Sequence, residues 1–352
     1  MRKIILPIIF VIFLISTATI VYAAPPPDGP PGLQRAIEVQ EENSDWLLEA
    51  QGVVGTAVST TAEGRPVISV FTESSGVRGL PVLIDGVPVQ VVVTGEFTAL
   101  KPTKDPPGKP PKDDGGATST TDWWERPVPI GVSTGAYHQE LCLAGTIGAR
   151  VTDGTDVYAL SNNHVYALEN QAYPGSFVVQ PGMVDTDCMA ELPKNLLGVL
   201  YPYVELDFGG INIIDAAIAY TDTETLGNST PDWGYGTPKT ETVSAYIGQR
   251  VKKFGRTTEL TSGTVTHINA MIEVGYRNGT ALFMGQIIVQ SRKRFIGPGD
   301  SGSLLVTHPG LNPVGLLFAG NEAGTLAVAN DIYLVLELLG FVNGKTLMID
   351  GQ

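Results

Sequence analysis

Apolar residues in this chain recur mostly as short runs separated by glycine and proline turns, with few long helical stripes. From residue 127 onward such runs cover 141–151, 157–160, 177–180, 213–220, 245–254, 263–274, 281–290, 304–307, 314–318 and 326–329. Closely spaced strands with turn signals between them predict an all-β sandwich or barrel. The run at 331–339 differs, because Asp331 stands as a cap before a longer apolar segment, and it predicts a C-terminal helix. Upstream, Leu33, Ile37, Trp46, Leu47 and Leu48 lie among charged residues and predict an imperfect amphipathic helix over 33–50. Three β-rich runs follow at 53–59, 66–72 and 87–94, so residues 33–100 read as a small α/β domain.

Two stretches cannot bury a core. Residues 24–32 are a Pro-rich tether, and 101–126 form a Pro/Gly/Thr-rich linker that is a natural boundary and proteolysis site. Ahead of them, Arg2 and Lys3 precede an apolar run over 4–15 and the small-residue site Val21-Tyr22-Ala23. Residues 1–23 therefore read as a signal peptide, and the expected location is secreted or periplasmic with no membrane span left after cleavage. An uncleaved anchor is the alternative; the proline run that follows argues for cleavage.

The length of 352 residues suits two folded units plus connectors, and 43% apolar residues suffice for full cores. Forty-one glycines and 25 prolines agree with a turn-rich β protein. With 22 basic against 36 acidic side chains the formal charge is −14, and no basic patch points to nucleic acid. The only cysteines, Cys142 and Cys188, flank His164 in sequence. A disulfide between them would stabilise by roughly 4 kcal/mol at most, and two buried thiols fit the spacing as well. The sequons at Asn228 and Asn278 matter only in a host that glycosylates exported proteins.

The chemistry concentrates in Gly299-Asp300-Ser301-Gly302 and, upstream, Asn162-Asn163-His164-Val165. A serine hydroxyl needs a base to take its proton, and the oxyanion it creates needs donors. A glycine two before the serine permits a sharp turn that aims the amides of Gly299 and Ser301 at one point. His164 can act as base, and Asp215, which opens an apolar run, needs a partner to offset its burial. Asp207, beside Phe208-Gly209-Gly210, reads as a turn residue; His138, His267 and His308 lack a matching motif.

Taken in order, Leu160-Ser161-Asn162-Asn163-His164-Val165, Ile214-Asp215-Ala216-Ala217-Ile218-Ala219 and Gly297-Pro298-Gly299-Asp300-Ser301-Gly302-Ser303 resemble the trypsin/chymotrypsin-like serine peptidases of bacterial type. The segment 251–258, Val-Lys-Lys-Phe-Gly-Arg-Thr-Thr, with Gly263 after it, is similar to a strand-turn segment of the same family. The resemblance covers 127–352 and implies a chymotrypsin-like double β-barrel with a C-terminal helix. It implies a His164–Asp215–Ser301 triad working through an acyl-enzyme, an oxyanion hole of Gly299 and Ser301, and no metal or organic cofactor. Two departures stand out: Ser303 replaces a usual glycine, and nothing near residue 127 resembles the charged amino terminus that pairs with the residue equivalent to Asp300 in animal members.

The same resemblance places Phe295 at the base of a substrate pocket and Phe318, Ala319 and Gly320 along one wall. With no carboxylate at that base, an apolar side chain is the expected preference, and Arg292-Lys293-Arg294 reads as a solvated cluster. Protein or peptide substrates are the expected partners, with the 33–100 domain as an intramolecular inhibitor, a folding chaperone or a separate packing domain. The rival readings are a catalytically silent binding protein, a peptidase limited to self-processing, and an esterase. The usual esterase Gly-x-Ser-x-Gly motif is not found around the serine.

Overall fold

The computed structural model describes residues 29–99, 118–138 and 140–352. The expected signal peptide, most of the tether and the proline-rich part of the linker lie outside them.

The second half of the chain builds a closed barrel. Six strands follow one another around it: Thr280–Gln290, Leu326–Asp331, Pro313–Asn321, Leu304–Thr307, Arg250–Lys253 and Thr261–Gly275, which pairs back with the first. Val265, Val289, Phe295, Leu305, Leu317 and Ala327 fill it from strands and loop alike. The other sheet has eight strands, with Val157–Ser161 and Ala217–Thr221 near its middle. Its alternating apolar residues form two clusters, one of them shared with the C-terminal helix Ile332–Asn343. That helix begins where Asp331 accepts the amides of Tyr333 and Leu334, and it ends at Gly344 in a left-handed conformation (φ 63°) that favours glycine. The architecture is the chymotrypsin-like one expected, all-β apart from its helices.

Several expected strands are shorter than the hydrophobic runs. The 141–151 run holds two short strands, Gly145–Thr146 and Ala149–Thr152, and 245–254 is paired only over Arg250–Lys253. Ser133–Ala136 and Leu196–Leu200 also pair, although neither shows the alternation that would mark it. Cys142 and Cys188 are joined in a disulfide with Cα atoms 5.4 Å apart. The bridge ties the 140s loop to the turn Met183–Thr186.

The N-terminal unit continues the barrel sheet. Its helix, Leu33–Leu48, lays Leu33, Ala36, Ile37, Val39 and Leu47 against Val53–Thr60 and Pro66–Thr72. Val53–Thr60 then pairs antiparallel with Thr261–Gly275 of the barrel, placing Gly55 opposite Ile272 and Val58 opposite Ile268. Gly55 is required there, because a Cβ would lie 2.6 Å from the Ile272 side chain and 2.8 Å from the Met271 carbonyl. Buried polar groups are paired across the same junction. Gln40 donates to Thr56 (2.8 Å), and Asn269 of the barrel strand donates to Gln40 (2.9 Å).

His267 sits in this junction, 7% exposed, with its ring 5.0 Å from that of Phe71. Burial pushes its pKa down to about 4. Below pH 6.5 the unfolded chain binds a proton that the folded one refuses, so this residue's contribution to stability falls from about pH 6.5 towards 4 and is level above. The span is worth about 3 kcal/mol. Urea unfolding of His267→Leu should therefore lose less stability between pH 7 and 4.5 than the parent. An equal loss in both would refute this assignment.

Candidate active site

Strand register brings the first two residues together. Ala217 pairs with Ser161 at the ends of adjacent strands, so Asp215, just ahead of one strand, faces the single helical turn Asn163–Tyr166 that follows the other. Asn162 clasps the two segments by donating to the Asp215 carbonyl at 2.7 Å. The Asp215 side chain is wholly buried and accepts three donors. The His164 amide reaches Oδ1 at 3.1 Å; His164 Nδ1 and the Tyr276 hydroxyl both reach Oδ2, at 2.5 and 2.8 Å. Because a carboxylate only accepts, Nδ1 carries the proton and the Nε2 lone pair is available. Nε2 is buried and without a hydrogen-bond partner among the described residues.

The alternatives lie elsewhere. Asp207 accepts the Gly209 amide at 2.8 Å, as a turn residue does. His138 accepts the amides of Glu140 and Leu141, and His308 lies next to Arg250 on the barrel. His267 belongs to the N-terminal junction.

Ser301 stands in a turn whose glycines are dictated by contact. Gly299 has φ 97°, and a Cβ there would lie 2.5 Å from Arg256 Nη1. Gly302 has φ 91°, and its Cβ would meet Ser161 Oγ at 2.2 Å and the Thr146 carbonyl at 2.4 Å. Thr146 anchors the turn to the first sheet: its amide donates to the Ser301 carbonyl and its hydroxyl to that of Gly299, both at 2.8 Å. The serine thus lies across from the strand that leads into His164. Its hydroxyl donates to the Phe318 carbonyl at 3.4 Å and makes no hydrogen bond with the imidazole. The amides of Gly299 and Ser301 have no acceptor among the described residues. The site thus brings together a serine hydroxyl, an imidazole whose Nε2 lone pair is unspent and two amides without acceptors among the described residues.

Asp300 holds that turn from beneath. It is wholly buried and accepts the amides of Thr257 (2.8 Å), Thr258 (3.1 Å) and Gly297 (2.8 Å) and the Thr258 hydroxyl (2.6 Å). Lys253 Nζ, also buried, lies 3.5 Å from Oδ2 and donates to the Glu259 carbonyl at 2.8 Å. This lysine sets a basic side chain beside the buried Asp300 carboxylate. Arg256 spans to the other sheet, its guanidinium 2.7 and 2.6 Å from the Asp185 carboxylate.

The residues assigned to a substrate pocket are closed over. Phe295 is buried in the barrel core, while Phe318 and Ala319 are buried in a second cluster with Phe97, Tyr276 and Phe283. Gly320 is buried at an edge already taken by the N-terminal unit. Phe97–Thr98 pairs antiparallel with it, Thr98 opposite Gly320 and Phe97 opposite Asn321. The segment runs towards Phe318, whose carbonyl touches Ser301. Neither Tyr276 nor Phe97 was marked by a motif, and only the folded chain brings them to the site.

Lys253 yields a test. Lys253→Met leaves the Asp300 carboxylate buried without its cation, which should cost about 3–5 kcal/mol in urea unfolding. A loss below about 1 kcal/mol, the usual worth of an exposed pair, would show that Asp300 does not depend on Lys253.

No family model and no curated protein sequence matches the chain. Solved structures do align with it. A glutamic-acid-specific serine protease is 19% identical, with 63% of this chain and 100% of that one covered, at a TM-score of 0.44. Thermobifida fusca protease A is 18% identical over 64% and 99%, also at 0.44. A chymotrypsin from Cellulomonas bogoriensis is 21% identical over 64% and 99%, at 0.42. The barrel, the eight-stranded sheet and the terminal helix make up a mostly β, chymotrypsin-like architecture.

Proposed function

We propose that the protein is an exported serine endopeptidase in which His164, Asp215 and Ser301 form the catalytic triad. The observation that supports this most is the buried Asp215–His164 bond of 2.5 Å, which leaves the Nε2 lone pair unspent. In this reading His164 takes the Ser301 proton as the oxygen attacks a peptide carbonyl. Asp215 holds the imidazole in the required tautomer and stabilises its cation. The amides of Gly299 and Ser301 receive the oxyanion, and the imidazolium returns its proton to the leaving amine. Water then hydrolyses the acyl-enzyme by the same route. An apolar side chain is the proposed preference on the sequence resemblance alone; Phe295, Phe318 and Ala319 themselves are packed in the core.

The N-terminal unit is proposed to be an intramolecular inhibitor. A peptide substrate adding as a strand beside Gly320 would compete for backbone groups that Phe97–Thr98 already pairs. Ser301 itself is only 3% exposed in the intact chain. A cut in the proline-rich part of the 101–126 linker, with departure of residues 97–99, would open that edge. The covered edge also favours a second reading, a peptidase-fold binding protein without turnover.

A fluorophosphonate probe separates the two. The intact chain should label slowly, and cleavage in the linker followed by removal of the N-terminal unit should raise the rate at least about tenfold. Ser301→Ala and His164→Ala should abolish labelling in both forms. Absence of label from the cleaved, still folded protein would leave the binding-protein reading.

A further inference from the structure

Tyr276 lies just beyond strand Thr261–Gly275, in the turn that leads to Thr280–Gln290, and no motif surrounds it. We propose that Tyr276 is a positioning residue for His164, acting through the Asp215 carboxylate. The inference rests on the reading of His164, Asp215 and Ser301 as the reacting residues.

Three observations carry it. The Tyr276 hydroxyl donates to Asp215 Oδ2, the same oxygen that receives His164 Nδ1. With the His164 amide on Oδ1, the carboxylate is held by donors at both oxygens and cannot rotate without breaking one. Second, the ring is gripped on several sides. It lies 5.8 Å from His164, 5.9 Å from Phe208 and 6.1 Å from Phe283, centroid to centroid. Burial and the neighbouring Asp215 charge hold the phenol pKa well above 10, so it remains a donor.

Third, the turn is tied to the histidine side of the site. Glu169, in the loop after the His164 helical turn, accepts the amides of Arg277 (3.1 Å) and Asn278 (2.9 Å). Arg277 Nε also lies 3.5 Å from the Glu169 carboxylate. The turn therefore moves with His164 and with the barrel hairpin at once. Without the hydroxyl, Oδ2 would keep the imidazole alone, their bond would change, and the plane of the carboxylate would be set from one side only.

The ring fills apolar space, so the hydroxyl must be tested by itself. Full-length parent, Tyr276→Phe and His164→Ala are compared in three measurements. These are the low-field NMR signal of His164 Nδ1–H, identified by its loss in His164→Ala, the saturation kinetics of fluorophosphonate labelling, and thermal unfolding. Tyr276→Phe should unfold near the parent's temperature and show a displaced Nδ1–H signal. Its limiting labelling rate should fall about tenfold at an unchanged half-saturating probe concentration. A folded Tyr276→Phe with an unmoved signal and an unchanged limiting rate overturns the role, while a labelled parent keeps the peptidase reading intact. A displaced signal in Tyr276→Phe beside a parent that takes no label, even with its N-terminal unit removed, supports the contact and sinks the peptidase reading instead.

Discussion

A carboxylate with no access to water must be compensated by fixed donors, and Asp215 imposes that condition on both halves of this molecule. Its compensation draws on the helical turn of one sheet through His164 and on the hairpin of the other through Tyr276. The backbone around it is committed as well. The Asp215 amide donates to Asn330, Asn330 donates to Gln286, and Gln286 returns to the Ile213 carbonyl just upstream. A closed circuit of buried amides thus stitches the two β units at the place where acyl-transfer chemistry would require them to stay in register.

The serine side obeys the same rule with different groups. Asp300 is buried under the turn, and its donors are mostly backbone amides of 257, 258 and 297, with Lys253 supplying the charge. Residues 299 and 302 of the turn are glycines because Arg256, Ser161 and Thr146 already occupy the space a Cβ would need. Turn geometry and charge compensation are therefore one requirement. The buried carboxylate keeps the turn from relaxing.

These requirements were legible where they are local. The glycine–serine turn, the Asn162–Val165 segment and the apolar run that opens at Asp215 each fit within a few neighbouring residues, and the strand pattern around them follows from short-range periodicity. Lys253 stood inside a recognised strand-turn segment, yet its pairing with Asp300 spans a loop closure that no local pattern encodes. Tyr276 was hidden for the same reason: a tyrosine after a long strand reads as ordinary core until the fold brings Asp215 beneath it. The pairing of Val53–Thr60 with Thr261–Gly275 is more distant still, between runs that each look like plain β structure.

That last pairing gives the N-terminal unit two mechanical handles on one hairpin. Along Thr261–Gly275 it contributes a neighbouring strand and the Gln40–Asn269 bond; at the far end, Phe97–Thr98 pairs with Val274 and Gly275, immediately before Tyr276. Phe97 also shares an apolar cluster with Tyr276 and Phe318. The segment that covers the strand edge beside Ser301 is therefore the one that buttresses the tyrosine on Asp215. Displacing it would uncover that edge and, in the same event, remove packing from the residue that orients the carboxylate. The Glu169 clasp on Arg277 and Asn278 is independent of the N-terminal unit, and with Phe208 and Phe283 it stays to hold Tyr276 once that unit has gone.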